Sequence, residues 1–240
     1  MNKPPVQQEP GRKEQVKSMF DSIAGNYDFL NHFLSMGIDR GWRRKLISLM
    51  AKEHPQHILD LASGTADLAI AASSLKPESI IGTDISVEML AVGREKIKKS
   101  GLDKMITLME ADSENLPFGD NRFDAAMVAY GVRNYENLQR GLKEMNRVLK
   151  PGAKAFILEF SKPTASPVKQ LYSIYFRFIL PVIGRLVSRH SSAYTYLPES
   201  VNAFPQGKEF TGMMIKAGFS NVSARQLTFG ITTLYSGTKE

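Results

Sequence analysis

The 240-residue chain contains no cysteine. That excludes disulfides, thiolate metal sites, iron–sulfur ligation and a cysteine nucleophile, and it fits a reducing compartment. Histidine is scarce, and its four copies form no cluster with metal-ligand spacing. Long apolar runs are missing too. The greasiest stretch, Leu171–Val187 (LYSIYFRFILPVIGRLV), is broken by Arg177, Pro181, Gly184 and Arg185. A membrane-spanning helix needs about 20 mostly apolar residues. The stretch reads better as two short helices parted near Pro181. Met1–Gly11 is polar and proline-rich, so no signal peptide is expected there. Residues 1–13 are expected to be a flexible tail. No repeat or low-complexity tract is present, and 42% hydrophobic with 23% charged residues is ordinary for a globular chain.

The formal net charge of +7 is unevenly placed. Residues 1–57 carry +3, residues 58–160 carry −2 and residues 161–240 carry +6. No nucleic-acid motif accompanies the basic excess, which sits beside the most apolar stretch; nucleic acid is therefore not an expected partner.

Hydrophobic period and punctuation divide the chain into alternating strands and helices. Glu14–Leu34 and Arg40–Lys52 read as helices, and His57–Leu61 (HILDL) as a buried strand. A helix over Ala66–Leu75 and a strand over Ser79–Asp84 follow. Ser86 is a good N-cap for the next helix, which Lys98, Lys99 and Gly101 close. Ile106–Glu110, Phe123–Tyr130 and Ala155–Phe160 read as further strands. Leu138, Leu142, Met145 and Leu149 fall at helical spacing. Asn221–Leu227 and Ile231–Ser236 follow a helix near Phe210–Ala217 and are expected to pair as a closing hairpin. Such alternation predicts an α/β domain with a mostly parallel sheet.

In an open parallel sheet, ligands bind beyond the carboxyl ends of the strands. Asp60, Asp84 and Asp112 stand at three such ends. One such aspartate alone would read as a cap or turn residue; three in succession read as a site. Gly64 permits a tight turn close to a ligand, and Thr65 adds a hydroxyl and a backbone N–H. Asp84, twenty residues beyond Gly64, suits a ribose diol. A dinucleotide would want G-x-G-x-x-G to cradle a pyrophosphate, and here only Gly64 is present, with Asp60 beside the turn to repel it. S-adenosylmethionine has no phosphate, and its sulfonium and ammonium are attracted by carboxylates. Charge therefore favours S-adenosylmethionine, with Asp112 and Ser113 at the adenine edge.

Four segments resemble the ubiquinone/menaquinone biosynthesis C-methyltransferase family, of the class I S-adenosylmethionine-dependent group. They are FDSIAGNYDFLN (Phe20–Asn31), LDLASGTADL (Leu59–Leu68), YGVRN (Tyr130–Asn134) and RVLKPGAKAFILEFSKP (Arg147–Pro163). The resemblance covers about Val16 to Lys239. It implies a Rossmann-like, mostly parallel seven-stranded sheet with N-terminal helices and a helical insert before the last strands. It implies one methyltransferase domain over residues 14–240: a helical lid (14–55), a cofactor-binding core (56–160) and a helical substrate cover (164–204). It implies methyl transfer to a ring carbon of a polyprenylated quinol, with demethylmenaquinol preferred and a methoxy-benzoquinol, a small soluble acceptor or a non-enzymatic cofactor-binding subunit as alternatives. Family cofactor contacts match Thr65, Asp84, Asp112 and Ser113. The chain departs from the family at Leu30, Asp39, Ala66, Ala129 and Ala153, where Met, His, Gly, Ser and Gly are frequent. The change at Ala129 removes a side chain from the cofactor region.

C-methylation of a quinol needs a ring carbon made nucleophilic by an adjacent phenolate, whose parent hydroxyl has a pKa near about 10. Arg133 stays charged and is a poor base but a good partner for an oxyanion, and Asn134 could orient a water that takes the proton. Both are assigned catalytic roles on the family match. Tyr27, Asp28, Tyr130 and His190 are candidates for the lid or substrate side. The apolar, basic last third is read as a mouth for a polyprenyl tail in transient contact with a membrane surface. The expected location is cytoplasmic and peripheral on the inner face of the membrane, and a homodimer is left open.

Overall fold

The computed structural model describes residues 11–28, 35, 37–174 and 192–240. A seven-stranded sheet runs in the order β3-β2-β1-β4-β5-β7-β6. Its strands are β1 (His57–Leu61), β2 (Ser79–Asp84), β3 (Ile106–Glu110), β4 (Phe123–Ala129), β5 (Leu149–Phe160), β6 (Phe219–Leu227) and β7 (Thr232–Lys239). The first five pair in parallel, while β7 runs antiparallel to both β5 and β6. The expected closing hairpin is thus β6–β7, and the expected α/β class holds.

Period-two alternation explains why both faces are covered. Ile58, Met127 and Leu158 face one core with Trp42, Leu46 and Met50; their neighbours Leu59, Val128 and Ile157 face the other with Leu142, Met145 and Phe210. The first face carries α2 (Ile38–Met50), α3 (Asp67–Ala72) and α4 (Val87–Lys99); the second carries α5 (Leu138–Val148) and α8 (Lys208–Lys216). Among the described residues the other helices are α1 (Arg12–Ile23), which takes in Arg12 and Lys13 of the expected tail, α6 (Val168–Ile174) and α7 (Ser192–Ala203).

The caps follow the sequence. Ser86 accepts from the Met89 N–H at 3.1 Å and opens α4, and Asn137 accepts from the Arg140 N–H at 3.0 Å and opens α5. Two boundaries differ most from expectation. The first helix is interrupted after Ile23 by one 3-10 turn, Ala24–Asn26, where Gly25 is a weak helix former; Tyr27 and Asp28 are helical again, and residues 29–34 of the expected helix lie outside the described residues. The fifth strand begins at Leu149 rather than Ala155. Pro151 and Gly152 stop the helix as expected, but they lie in a register shift against β4, where Phe123 pairs Leu149 and Ala125 already pairs Lys154.

Strand order reverses between β1 and its neighbours β2 and β4, which creates a crevice at their carboxyl ends. That crevice is where the candidate site lies.

Candidate active site

The cleft beyond β1, β2 and β4 holds about 650 Å³ of empty space, part of it open to solvent. Its wall brings together Gly64, Asp84, Asp112, Ser113, Tyr27, Tyr130 and Asn134 from the sequence expectation. Asp60, Thr65 and Asp28 stand behind that wall, and so does Arg133. His190 lies outside the described residues.

Gly64 is held at φ +54°, a conformation that suits glycine, and its N–H donates to Asp84 Oδ2 at 2.8 Å. The Ser86 N–H donates to Asp84 Oδ1 at 2.9 Å. Each carboxylate oxygen keeps a lone pair for a further donor. Burial pushes the Asp84 carboxyl up, against the backbone N–H groups that pull it down. Gly131 is needed for a different reason: a Cβ there would lie 2.6 Å from Ala62 Cβ, so the β4 turn can pass this close only without a side chain.

Three non-glycine residues around the cleft, Ala62, Ala66 and Tyr130, sit at φ of 50°, 66° and 61°. Such left-handed backbone costs about 1–2 kcal/mol per residue, and it gathers here at the strand ends. Ala66 occupies the position where the family often has glycine, so its departure keeps the turn at a cost.

Asp60 is 1% exposed, and its Oδ2 has no hydrogen-bond partner among the described residues. Burial, with the nearby Asp84 carboxylate adding to it, pushes its carboxyl up to about 7. Thr65 Oγ1 donates to Asp28 Oδ1 at 2.5 Å, and Lys96 Nζ donates to Asp28 Oδ2 at 2.5 Å and to Asp67. Asp112 accepts from the Glu114 N–H at 2.9 Å and from Lys13 Nζ at 2.7 Å. The N-terminal helix is therefore strapped across the cleft. Lys17 Nζ reaches Glu110 at 3.0 Å and Ser86 Oγ donates to Asp21 at 2.5 Å.

The other wall is built differently. Tyr130 stacks on Phe160 with ring centroids 4.4 Å apart and on Trp42 at 6.3 Å. Trp42 Nε1 donates to Thr228 Oγ1 at 2.8 Å, which makes it a packing residue. Arg133 does not face the cleft as an open charge. Its Nη1 donates to Glu159 Oε1 at 2.9 Å and to the Tyr130 carbonyl, and its Nε donates to Ser200 Oγ at 3.3 Å. Glu159 is fully buried, and burial pushes its carboxyl up while Arg133 pulls it back. Glu159 was not singled out from the sequence. The available signal was a lone carboxylate inside the apolar run AFILEF, since a charge is buried only when paired. Lys13, Lys96 and Tyr196 were missed as well. A lysine on a helix face carries no local mark of its partner.

The residues present fit S-adenosylmethionine. An unpartnered buried carboxylate oxygen at Asp60 and spare lone pairs at Asp84 ask for donors or positive charge, and no phosphate-binding glycine row is present. Solved structures of the same architecture support this class. A methyltransferase from Thermotoga maritima, described as a possible histamine N-methyltransferase, matches with TM-score 0.66 and 19% identity over 94% of this chain and 100% of that one. The [4+2]-cyclase SpnF matches with TM-score 0.69 at 17% identity, over 96% and 97% of the two chains. Sheet order, strand-end carboxylates and cleft together define the class I, S-adenosylmethionine-dependent methyltransferase fold.

Sequence relatives narrow the class. A demethylmenaquinone methyltransferase of Bacteroides fragilis is 51% identical over 236 residues, covering 98% of this chain and 96% of the relative. One from Porphyromonas gingivalis is 44% identical over 98% and 97% of the two chains. A ubiquinone/menaquinone biosynthesis C-methyltransferase of Geobacter sulfurreducens is 45% identical over 94% and 89%. Residues 8–239 match the model of the ubiE/COQ5 methyltransferase family, and the chain belongs to that family. It is a methyltransferase whose methyl donor is S-adenosylmethionine.

Proposed function

We propose that this enzyme methylates a ring carbon of demethylmenaquinol to give menaquinol. The observation that carries the reading is the pairing of an acidic strand-end wall (Asp84, Asp112, Ser113) with an aromatic and amide wall (Tyr130, Asn134) in one cleft. The names of the full-length relatives support the substrate.

Bound S-adenosylmethionine supplies an electrophilic methyl group on a cationic sulfur. Asp84 would accept from the ribose hydroxyls, Asp112 and Ser113 would meet the adenine edge, and Asp60 with Gly64 and Thr65 would serve the amino-acid end. Tyr27 and Asp28 belong to a lid formed by residues 14–55. On the acceptor side Asn134 presents its amide to the quinol oxygen or to the water that takes its proton. Arg133, paired with Glu159 behind the wall and donating to the Tyr130 carbonyl, would support that oxyanion indirectly, by holding the wall that carries Asn134. Transfer would form a carbon–carbon bond at the ring as the methyl–sulfur bond breaks, S-adenosylhomocysteine would leave, and the ring proton would pass to water. In-line placement of these groups is the main contribution of the protein.

The substrate tail enters through the cover, residues 164–204. In its described part, Leu171 and Ile174 of α6 are 63% and 49% exposed. Among the described residues no helix is long and apolar enough to cross a membrane. Exposed apolar side chains beside a basic segment support a transient seat on an anionic membrane surface.

The test is methyl transfer from labelled S-adenosylmethionine to a long-tailed demethylmenaquinol, a demethylated methoxy-benzoquinol and a tail-less naphthoquinol. Menaquinol should be the main product. Equal turnover of the tail-less quinol would overturn the lipid substrate, and preference for the benzoquinol would move the enzyme to ubiquinone synthesis.

A further inference from the structure

Helix α7 touches Asn134 of the acceptor wall and Arg133 behind it. Tyr196 Oη lies 2.9 Å from Asn134 Oδ1, and Ser200 Oγ lies 3.3 Å from Arg133 Nε. Tyr196 and Ser200 are four residues apart and so share one helix face. Ser200 is tied to its own helix by donating to the Leu197 carbonyl at 3.0 Å.

The Asn134 contacts fix which way its amide points. Its Nδ2 lies 3.4 Å from the Tyr130 carbonyl oxygen. A backbone carbonyl only accepts, so the nitrogen must face it and Oδ1 must face Tyr196. The Tyr196 hydroxyl is therefore the donor. With Oδ1 held by Tyr196 and one N–H on Tyr130, the second amide N–H is the donor left for the cleft. Among the described residues, no other hydrogen bond holds Oδ1.

We propose that Tyr196 is a positioning residue for methyl transfer. By donating to Asn134 it sets the amide with its free N–H toward the acceptor oxygen, so that docking of α7 completes the acceptor wall. The inference rests on the acceptor-side role given above to Asn134. Sequence spacing does not show it, because the partners are 62 residues apart.

The experiment is a double-mutant cycle on the full-length enzyme with saturating S-adenosylmethionine and a long-tailed demethylmenaquinol. Tyr196→Phe should lower kcat about five- to tenfold, the size of one neutral hydrogen bond. It should leave the KM for the quinol and the calorimetric affinity for S-adenosylmethionine within about twofold. In an Asn134→Ala background the same change should cost less than about twofold, because the group being positioned is gone. Independent, multiplying losses would overturn the proposal. Thermal melting of each variant separates lost folding from lost positioning. An inactive wild-type enzyme would instead sink the quinol reading, and full activity of Asn134→Ala would sink the role of Asn134 and this inference with it.

Discussion

Two ion pairs beside the cleft do opposite kinds of work. On the cofactor side Lys13 meets Asp112 at 2.7 Å, with the side chains 28% and 34% exposed. On the acceptor side Arg133 meets Glu159 at 2.9 Å, with the side chains 6% and 0% exposed. The distances are nearly equal, so burial decides the difference. Water and salt screen the first pair, which straps a helix that must admit a ligand. The second pair is shielded from both, and each partner depends on the other to be tolerated at all. The cleft thus has a loosely tied wall and a rigid one.

The rigid wall yields the largest expected effect. Glu159→Ala leaves the Arg133 guanidinium buried without its counter-charge, which typically costs about 3–5 kcal/mol. Denaturant unfolding should show that loss, and it should persist in about 1 M salt, where the Debye length is about 3 Å. A loss below about 1 kcal/mol would mean that the pair is solvated and that the contrast between the walls fails.

The same contrast explains what could be read from sequence. Asp84 ends β2 and Asp112 lies two residues past β3, and each accepts a backbone N–H from two residues further on, Ser86 for one and Glu114 for the other. Strand ends and caps follow from period and punctuation, so the sheet, its closing hairpin and the acidic wall were all legible. The acceptor wall was named only by family likeness. Arg133 depends on Glu159 and Ser200, and Asn134 on Tyr196, at separations of 26, 67 and 62 residues. Nothing in local spacing ties such residues together. The charge of Arg133 was legible, but its neutralisation was not. The 12-residue β5 was mis-bounded for a related reason: pairing with β4, not propensity, extends it to Leu149.

Asp60 lies between these extremes, buried like Glu159 but with Oδ2 unpartnered. Its carboxyl is pushed up to about 7. In the unfolded chain it would titrate near about 3.9. Its contribution to stability therefore declines as pH rises from about 4 to about 7, since the folded state holds the proton longer. A cationic ligand has the opposite preference. S-adenosylmethionine affinity should rise with pH up to about 7, by at most about tenfold per unit, with proton release on binding. Calorimetry in buffers of different ionisation heat measures both quantities, and Asp60→Asn should flatten the dependence. A flat profile in the wild type would remove Asp60 from the cofactor site.

The loosely tied wall should show the smallest effect. Lys13 and Lys17 bind Asp112 and Glu110 at 2.7 and 3.0 Å on partly exposed side chains. Pairs of this kind contribute about 0–1 kcal/mol each. Lys13→Gln with Lys17→Gln should therefore lower stability by no more than about 2 kcal/mol at low salt, and the loss should vanish in about 1 M salt. Measured beside Glu159→Ala, the salt dependence separates the walls more sharply than the size of either loss. Screening acts only on the pairs that water reaches, so one variant should respond to salt and the other should not. A salt-insensitive loss in the lysine variant would show that α1 is held by packing of Val16 and Ile23, both buried, rather than by its charges.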